Sequence, residues 1–175
     1  MIRKAAYVVM LATAVGWSGS ARAAAGVEAT FEGHVIDLAG GWGQAKACVE
    51  VEGAVACYRS ERQMLDAYDT RSVALAATAV EPTAALTCAS SLRLYDGAGF
   101  GGQVLMLTSR QVGLNLSSYG FDNKTSSYKV GACGVSMYSS ANLGGSLYQG
   151  ATGANASAAS MNAGWDNAVS SVWIG

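Results

Sequence analysis

The C-terminal half of the chain contains the same pattern of residues twice. Each copy opens with a Tyr, followed by a Gly-rich corner, an apolar side chain and a further Gly. Later in each copy, Gly and an aromatic residue precede Asp-Asn-x-x-Ser-Ser, at 120–127 and at 164–171. Two features that recur in the same order indicate a duplication, so residues 92–175 should fold as two similar units. The opening residues are Tyr95, Phe100 and Gly102 in the first copy and Tyr138, Leu143 and Gly145 in the second.

Both copies predict short antiparallel strands joined by glycine-rich corners. Apolar residues alternate at 92–94 and at 104–106, which is typical of strands in a sandwich. Glycine at a corner allows the left-handed backbone that tight hairpins need. The sequence therefore predicts an all-β fold of two Greek keys, residues 92–133 and 134–175.

The repeated Asp-Asn-x-x-Ser-Ser segment concentrates oxygen-bearing side chains on a tight loop that leads into a strand. Carboxylate, amide, hydroxyl and backbone carbonyl oxygens are the ligands that Ca²⁺ prefers. A single copy of this segment is equally typical of an Asx-turn in which a serine caps the next strand. Two copies at the same place in a duplicated unit favour a calcium site.

The doubled combination of Tyr-x-x-x-x-Phe-x-Gly with Asp-Asn-x-x-Ser-Ser resembles the microbial βγ-crystallin family. The resemblance covers residues 92–175 and implies a βγ-crystallin-type sandwich of two Greek keys that binds calcium. Leu143 departs from the family pattern, which usually has an aromatic residue there. This departure weakens the corner packing of the second hairpin and leaves its loop untouched.

The resemblance also implies which residues bind Ca²⁺. In that family each ion lies between loops of the two Greek keys. The carbonyl after the Asp-Asn pair serves one site, the first Ser serves the other, and a carbonyl from the opposite hairpin corner completes each shell. Two acidic side chains inside the motifs imply a dissociation constant on the order of 10⁻⁵ to 10⁻³ M. The implied ligands are Asp122, Asn123, Lys124 (carbonyl) and Ser126, then Asp166, Asn167, Ala168 (carbonyl) and Ser170, with corner carbonyls from Asp96 and Ser139.

Two other functions remain open. Small secreted bacterial inhibitors of metalloproteases are similar in fold, export and cysteine number, so an extracellular protease is an alternative partner. The third possibility is a structural or surface-interaction protein in which calcium only stiffens the fold. We expect no enzymatic activity, because the single histidine, His34, has no second imidazole or free thiol to act with. No Gly-rich phosphate loop connects a strand to a helix, so nucleotide binding is not indicated.

The N-terminus has the pattern of a secretory signal peptide over residues 1–23. A basic start precedes an apolar run too short to span a bilayer, and Ala21-Arg22-Ala23 forms an Ala-x-Ala cleavage site. The sequence therefore predicts a secreted, extracellular protein. Cleavage would remove three basic side chains and no acidic one, making the product more acidic than the whole chain, whose net charge is −1. We therefore expect no nucleic-acid or membrane partner. The protein is also expected to be a monomer.

The four cysteines predict two disulfides, because an exported protein with an even number of cysteines usually pairs them. A turn at Glu52-Gly53 folds the flanking segments into a hairpin in which Cys48 and Cys57 stand opposite each other. That pairing leaves Cys88 with Cys133. A zinc site is the alternative, and the absence of any Cys-x₂₋₄-Cys pair argues against it.

The remaining chain predicts a small disulfide-bonded module of β-hairpin and helix over residues 24–71. Short strands at 30–33 and 35–38 precede the hairpin, and Ser60 begins a capping box for a helix at 61–69. Residues 72–87, rich in Ala, Val and Thr with the only proline, are expected to be a linker to the crystallin-like domain, 88–175. Residues 155–161 are expected to form a short helix or an irregular crossing.

Overall fold

The computed structural model describes residues 26–78 and 91–175, with the backbone alone described at 71–78. The predicted signal peptide and residues 79–87 of the predicted linker lie outside the described residues. None of the described helices is both long enough and apolar enough to cross a membrane. The strands are β1 (Glu28–Phe31), β2 (His34–Asp37), β3 (Ala47–Val51), β4 (Ala54–Tyr58), β5 (Leu92–Gly97), β6 (Gly101–Leu107), β7 (Gly113–Asn115), β8 (Ser127–Val130), β9 (Val135–Ser140), β10 (Gly144–Leu147), β11 (Ser157–Ala158) and β12 (Ser171–Ile174). One α-helix, α1 (Glu61–Thr78), is accompanied by 3₁₀ turns at Leu38–Gly40, Ala98–Phe100 and Leu116–Tyr119.

The strands form two sheets, which confirms the predicted all-β sandwich. Sheet A has the order β11-β8-β5-β6-β3-β4-β1-β2, and sheet B has the order β10-β9-β12-β7. Three strands of each copy lie together, and the remaining strand crosses to the other sheet. Sheet A thus holds β5, β6 and β8 of the first copy with β11 of the second, whereas sheet B holds β9, β10 and β12 with β7 of the first copy. This exchange makes the two copies one folding unit.

The main core lies between the two sheets. Leu94 and Leu105 of sheet A and Met137 and Ile174 of sheet B are fully buried in the same cluster. Burial of this kind stabilises a fold by about 25 cal/mol for each Å² of apolar surface removed from water.

Sheet A is also buried on its other face. Val104 and Met106 alternate along β6 with the core residues and pack instead against Met64 of α1. The alternation predicted at 104–106 therefore describes only one face of the strand. Every residue from Val104 to Leu107 is buried, on one face of the sheet or the other. A sheet that is covered on both faces needs continuous apolar runs in its central strands.

The predicted N-terminal hairpin is present and continues sheet A. β3 pairs in parallel with β6, so that Cys48 lies beside Leu105 and Val49 beside Met106. The hairpin and the first Greek key thus share one sheet. The proposed boundary between residues 24–71 and 88–175 stays a prediction about folding, since it concerns how the parts behave when separated.

Helix α1 begins as predicted and ends later than predicted. The amide of Gln63 donates to Ser60 Oγ at 3.3 Å, as a capping serine should, and Met64 is buried on the inner face. The helix continues past the predicted end at Asp69 as far as Thr78, so the first part of the expected linker is helical. The Ala-rich composition of 74–77 explains the extension, because alanine has the highest helix propensity.

The first predicted disulfide is confirmed. Cys48 and Cys57 are paired in register across β3 and β4 and bonded, with their Cα atoms 4.0 Å apart. Cys133 is buried and disulfide-bonded, but Cys88 lies outside the described residues, so its pairing with Cys133 stays a prediction. Residues 155–161 contain the two-residue strand β11 and no helix, so the irregular crossing is the correct alternative.

Candidate metal site

The two Asp-Asn-x-x-Ser-Ser loops meet each other across the interface between the copies. The amide of Asn123 donates to the carbonyl of Val169 at 3.0 Å, and the amide of Asn167 donates to the carbonyl of Thr125, also at 3.0 Å. The hydroxyl of Ser170 also donates to Asn123 Oδ1 at 3.3 Å. Residues far apart in sequence therefore lie side by side, in an arrangement that repeats from one copy to the other.

Both loops turn at their asparagine. Asn123 has φ of 53° and Asn167 has φ of 57°, which places both residues in the left-handed region. Asparagine tolerates this region better than other residues that carry a Cβ. The Asn of each motif therefore has a conformational reason to be there, in addition to any ligand role.

The first serine of each motif is bonded through its backbone to a hairpin corner of its own copy. The amide of Ser126 donates to the carbonyl of Tyr95 at 2.8 Å, next to Asp96. The amide of Ser170 makes the same bond to the carbonyl of Tyr138, next to Ser139. Each serine is only 7% exposed. The backbone of each of these serines is thus hydrogen-bonded to the hairpin corner of its own copy.

The side chains of the two corner residues hold their own hairpins. Asp96 Oδ1 accepts from the amide of Gln103 at 2.6 Å, and Ser139 Oγ accepts from the amide of Ser146 at 2.8 Å. This agrees with a ligand role limited to the backbone carbonyls of Asp96 and Ser139.

The first three positions of each motif form the outer rim of the paired loops. Asp122 Oδ2 accepts from the side-chain amide of Asn123 at 3.2 Å, and Lys124 Nζ donates to the carbonyl of Gly120 at 2.7 Å. The second bond directs the Lys124 ammonium back toward its own loop. The residues of this rim are Asp122, Asn123, Lys124, Asp166 and Asn167, which are exposed, and Ala168, which is partly buried.

The last serine of each motif has a role that sequence reasoning missed. Ser127 Oγ donates to the carbonyl of Gly97 at 2.6 Å and accepts from the amide of Phe100 at 3.0 Å. Ser171 Oγ makes the equivalent pair of bonds in the second copy, to the carbonyl of Ser140 and from the amide of Leu143. Both serines are fully buried. They fasten each motif to the hairpin corner of its own copy, and the invariance of this Ser between the copies was the available signal.

Solved structures similar to this chain come from one family. A βγ-crystallin from an archaeon is 26% identical, with 49% of this chain and 98% of that chain covered and a TM-score of 0.41. A βγ-crystallin from Ciona intestinalis is 22% identical, with 49% and 99% covered and a TM-score of 0.40. A domain from Flavobacterium johnsoniae is 21% identical, with 47% and 91% covered and a TM-score of 0.37. These neighbours are all βγ-crystallin domains.

The likeness to βγ-crystallin domains extends over about half of this chain and nearly all of each neighbour. The same family was indicated by the motifs of the sequence, and its members among the neighbours include microbial ones. No protein-family model and no curated protein matches the chain.

A metal ion at the paired loops would have to be bound mainly by neutral oxygens. The described ranges contain no group of three or more His, Cys, Asp or Glu side chains able to hold a metal ion. Carbonyl and hydroxyl oxygens with one nearby carboxylate per loop suit Ca²⁺ better than zinc or copper, which prefer nitrogen and sulfur ligands. The donor set therefore fits calcium.

One buried oxygen in the first loop lacks a partner. Thr125 is fully buried, and its Oγ1 is the only buried side-chain nitrogen or oxygen without a hydrogen-bond partner in the described part of the chain. The equivalent position in the second copy is Val169, which has no polar group to satisfy. An unsatisfied buried hydroxyl costs about 1–3 kcal/mol. The two loops are therefore chemically unequal at this position.

Buried tyrosines near the first motif resist ionisation. Burial, followed by the negative charge of Glu50, raises the pKa of Tyr119 to about 12. Burial also raises the pKa of Tyr95, whose hydroxyl in addition donates to Glu61 Oε1 at 2.7 Å, and burial raises that of Tyr128. All three side chains thus remain neutral at physiological pH.

Among the remaining predicted residues, His34 lies apart from the paired loops. His34 is exposed at the start of the edge strand β2. The aromatic residue before each Asp-Asn pair packs inward as expected, with Phe121 fully buried and Trp165 half-buried against Tyr148 at 5.1 Å between ring centroids.

Proposed function

We propose that the protein binds calcium at its two paired loops, and that the ions stabilise the contact between the two Greek keys in a secreted, non-enzymatic protein. The observation that carries this proposal is the reciprocal bonding of the loops. Asn123 bonds to Val169 and Asn167 bonds to Thr125, so each motif contributes to both halves of the interface.

The proposed ligands fall into two groups related by the duplication. One group joins the Lys124 carbonyl to Ser170 and the Ser139 carbonyl. The other joins the Ala168 carbonyl to Ser126 and the Asp96 carbonyl. Support comes from the backbone bonds that place each serine beside its corner residue. Asp122 and Asp166, both in the outer rim of the paired loops, would each add a negative charge.

Calcium in such a position would act on stability. A cation bound by oxygens from both motifs favours the folded state, because the separated loops of an unfolded chain cannot provide the same ligands. At a free concentration one hundred times the dissociation constant, each independent site would add about 2.7 kcal/mol to the free energy of unfolding. For a domain of this size the melting temperature would rise by roughly 10 °C.

The test is a calorimetric calcium titration of the oxidised protein, together with thermal melts in Ca²⁺ and in Mg²⁺ at the same concentration. We expect two binding events and a rise in melting temperature with Ca²⁺ that Mg²⁺ does not match, since Mg²⁺ demands a smaller and more regular shell. A variant with both Ser126→Ala and Ser170→Ala serves as the matched control and should lose most of the calcium-dependent rise.

Absence of heat and of any change in the melt at millimolar Ca²⁺ would refute the proposal and leave the loops as Asx-turns. Inhibition of a thermolysin-like metalloprotease, measured on the same preparation, then becomes the decisive assay for the alternative partner.

A further inference from the structure

A segment of the N-terminal half packs directly on the first calcium motif. The indole Nε1 of Trp42 donates to the carbonyl of Tyr119 at 2.7 Å, and the Trp42 ring lies 5.6 Å from the ring of Phe121. Trp42 is 5% exposed and Phe121 is fully buried. Since Phe121 immediately precedes Asp122, these contacts fix the backbone just ahead of the proposed ligands.

A second contact fixes the same stretch of backbone. Gly120 has φ of 63°, and a Cβ at this position would lie 2.1 Å from the carbonyl oxygen of Leu38. Only glycine allows such an approach between the two backbones. Two residues before Gly120, the carbonyl of Ser118 accepts from the amide of Val27 at 2.8 Å. We call residues 38–42 the Trp42 clamp.

The second motif has different surroundings. Gly164 occupies the position of Gly120 and has a similar φ of 80°, yet no atom lies within 4 Å of a Cβ placed there. The following Trp165 is half-buried and rests on Tyr148 of its own copy. The duplicated loops are therefore held by different means, the first by the N-terminal half and the second from within its own copy.

We propose that Trp42 is a positioning residue for calcium binding, and that the N-terminal half of the chain makes the two calcium sites unequal. This inference rests on the proposed function. The clamp restrains residues 119–121 and thereby sets the position of the Lys124 carbonyl. The site formed by Lys124 and Ser170 is then arranged before the ion arrives.

A restrained loop loses less conformational entropy on binding than a free one. The site that uses Lys124 and Ser170 therefore binds Ca²⁺ more tightly than the site that uses Ala168 and Ser126. The clamp also gives the hairpin-and-helix half a function in this chain, which is to tune one of two sites that the duplication made alike.

The variant Trp42→Phe tests the clamp in the full-length protein, because it removes the Nε1 donor and keeps an aromatic ring. Without calcium, amide hydrogen exchange is compared at Phe121 and Trp165, which hold equivalent places in the two copies. The amide of Phe121 donates to the carbonyl of Leu116, and the amide of Trp165 donates to the carbonyl of Asn162. We expect exchange at Phe121 to become about tenfold faster, with Trp165 unchanged. This is the change expected from losing one buried hydrogen bond.

With calcium, site-resolved affinities come from NMR titrations that follow the amides of Ser170 and Ser126. We expect Trp42→Phe to weaken binding reported by Ser170 about tenfold and to leave binding reported by Ser126 unchanged. Gly120→Ala and Gly164→Ala form a matched pair, since both add a Cβ at positive φ and only the first meets Leu38. Gly120→Ala should reproduce the loss at Ser170, and Gly164→Ala should not.

The possible outcomes separate the clamp from a general effect on stability. A purely structural role for Trp42 would accelerate exchange at Phe121 and Trp165 alike and lower both calcium affinities by the same factor, which would overturn the inference. Unchanged exchange and unchanged affinities would overturn it as well. If wild-type protein binds no calcium, the proposed function fails, and the exchange comparison still decides whether Trp42 holds the first loop.

Discussion

The hydroxyl of Ser170 donates to the side-chain oxygen of Asn123 at 3.3 Å, and this bond joins the end of one motif to the beginning of the other. The two residues belong to different copies of the duplicated unit. Because the bond crosses between the copies, a substitution in one motif should also affect the other motif.

Ser126→Ala and Ser170→Ala should each weaken one of the two proposed calcium sites while changing the calcium-free protein little. Each substitution removes one hydroxyl ligand, and Ser170→Ala in addition loses the bond to Asn123, worth about 1 kcal/mol. In each variant, calorimetry should show that one of the two calcium-binding events has a weaker affinity. Loss of both events from either single variant would contradict the division of ligands between two sites.

Ser127→Ala and Ser171→Ala should have the opposite effect. Each should cause a large loss of stability that does not depend on calcium. Each hydroxyl makes two bonds at a fully buried corner, so its removal leaves a backbone amide and a carbonyl without that partner. We expect the free energy of unfolding to fall by about 2–4 kcal/mol in urea titrations. A variant as stable as the wild type would show that the corners do not depend on these serines.

Thr125→Val should stabilise the calcium-free protein by about 1–2 kcal/mol. The change keeps the shape of the side chain, removes a buried hydroxyl that has no partner, and reproduces the residue found at Val169. Urea unfolding without calcium measures the gain. A loss of stability would instead show that the hydroxyl is hydrogen-bonded to a water molecule in solution.

Glu50→Gln should destabilise the protein by about 2–4 kcal/mol. The buried carboxylate accepts from the amides of Thr108, Ser109 and Gly53 and from the hydroxyl of Ser109. In Glu50→Gln, an NH₂ group replaces one of the accepting oxygens and would face hydrogen-bond donors. Glu52→Gln is the control, because Glu52 is exposed in the same hairpin turn. Equal melting temperatures for the two variants would contradict this account.

The protein should lose stability as the pH rises from about 10 to about 12. In this interval tyrosines ionise in the unfolded chain, whose pKa is about 10, whereas Tyr119 keeps its proton until about pH 12. The unfolded state therefore binds fewer protons, and the free energy of unfolding falls with rising pH, by about 3 kcal/mol for Tyr119. Urea titrations at pH 9 to 12 measure the slope, which Tyr119→Phe should reduce. A flat profile would show that Tyr119 ionises normally.

Features governed by local chemistry were predictable from the sequence. The turn at Glu52-Gly53 sets the register of β3 and β4, and the register places Cys48 opposite Cys57. The duplicated corners and loops likewise predict two sheets. The helix start follows from the cap at Ser60. Each of these depends on residues that are neighbours in the sequence.

Features that depend on distant partners were not predictable in the same way. The parallel pairing of β3 with β6 has no local signature, although the continuous apolar run from Val104 to Leu107 is the composition of a strand buried on both faces. The bond from Trp42 to Tyr119 joins residues that no spacing rule relates. In the candidate site, the motifs identified the loops, but only the structure shows that the second serine of each motif fastens a hairpin corner.

The shared sheet has a consequence for how the chain reaches its native state. β3 is synthesised well before β6, so the early hairpin exists with one edge unpaired until the first Greek key has emerged. An unpaired edge with apolar side chains on both faces invites association with other chains. Until β6 pairs with β3, the hairpin is therefore prone to aggregate. In an oxidising compartment the Cys48–Cys57 bond would keep the hairpin in register during this interval.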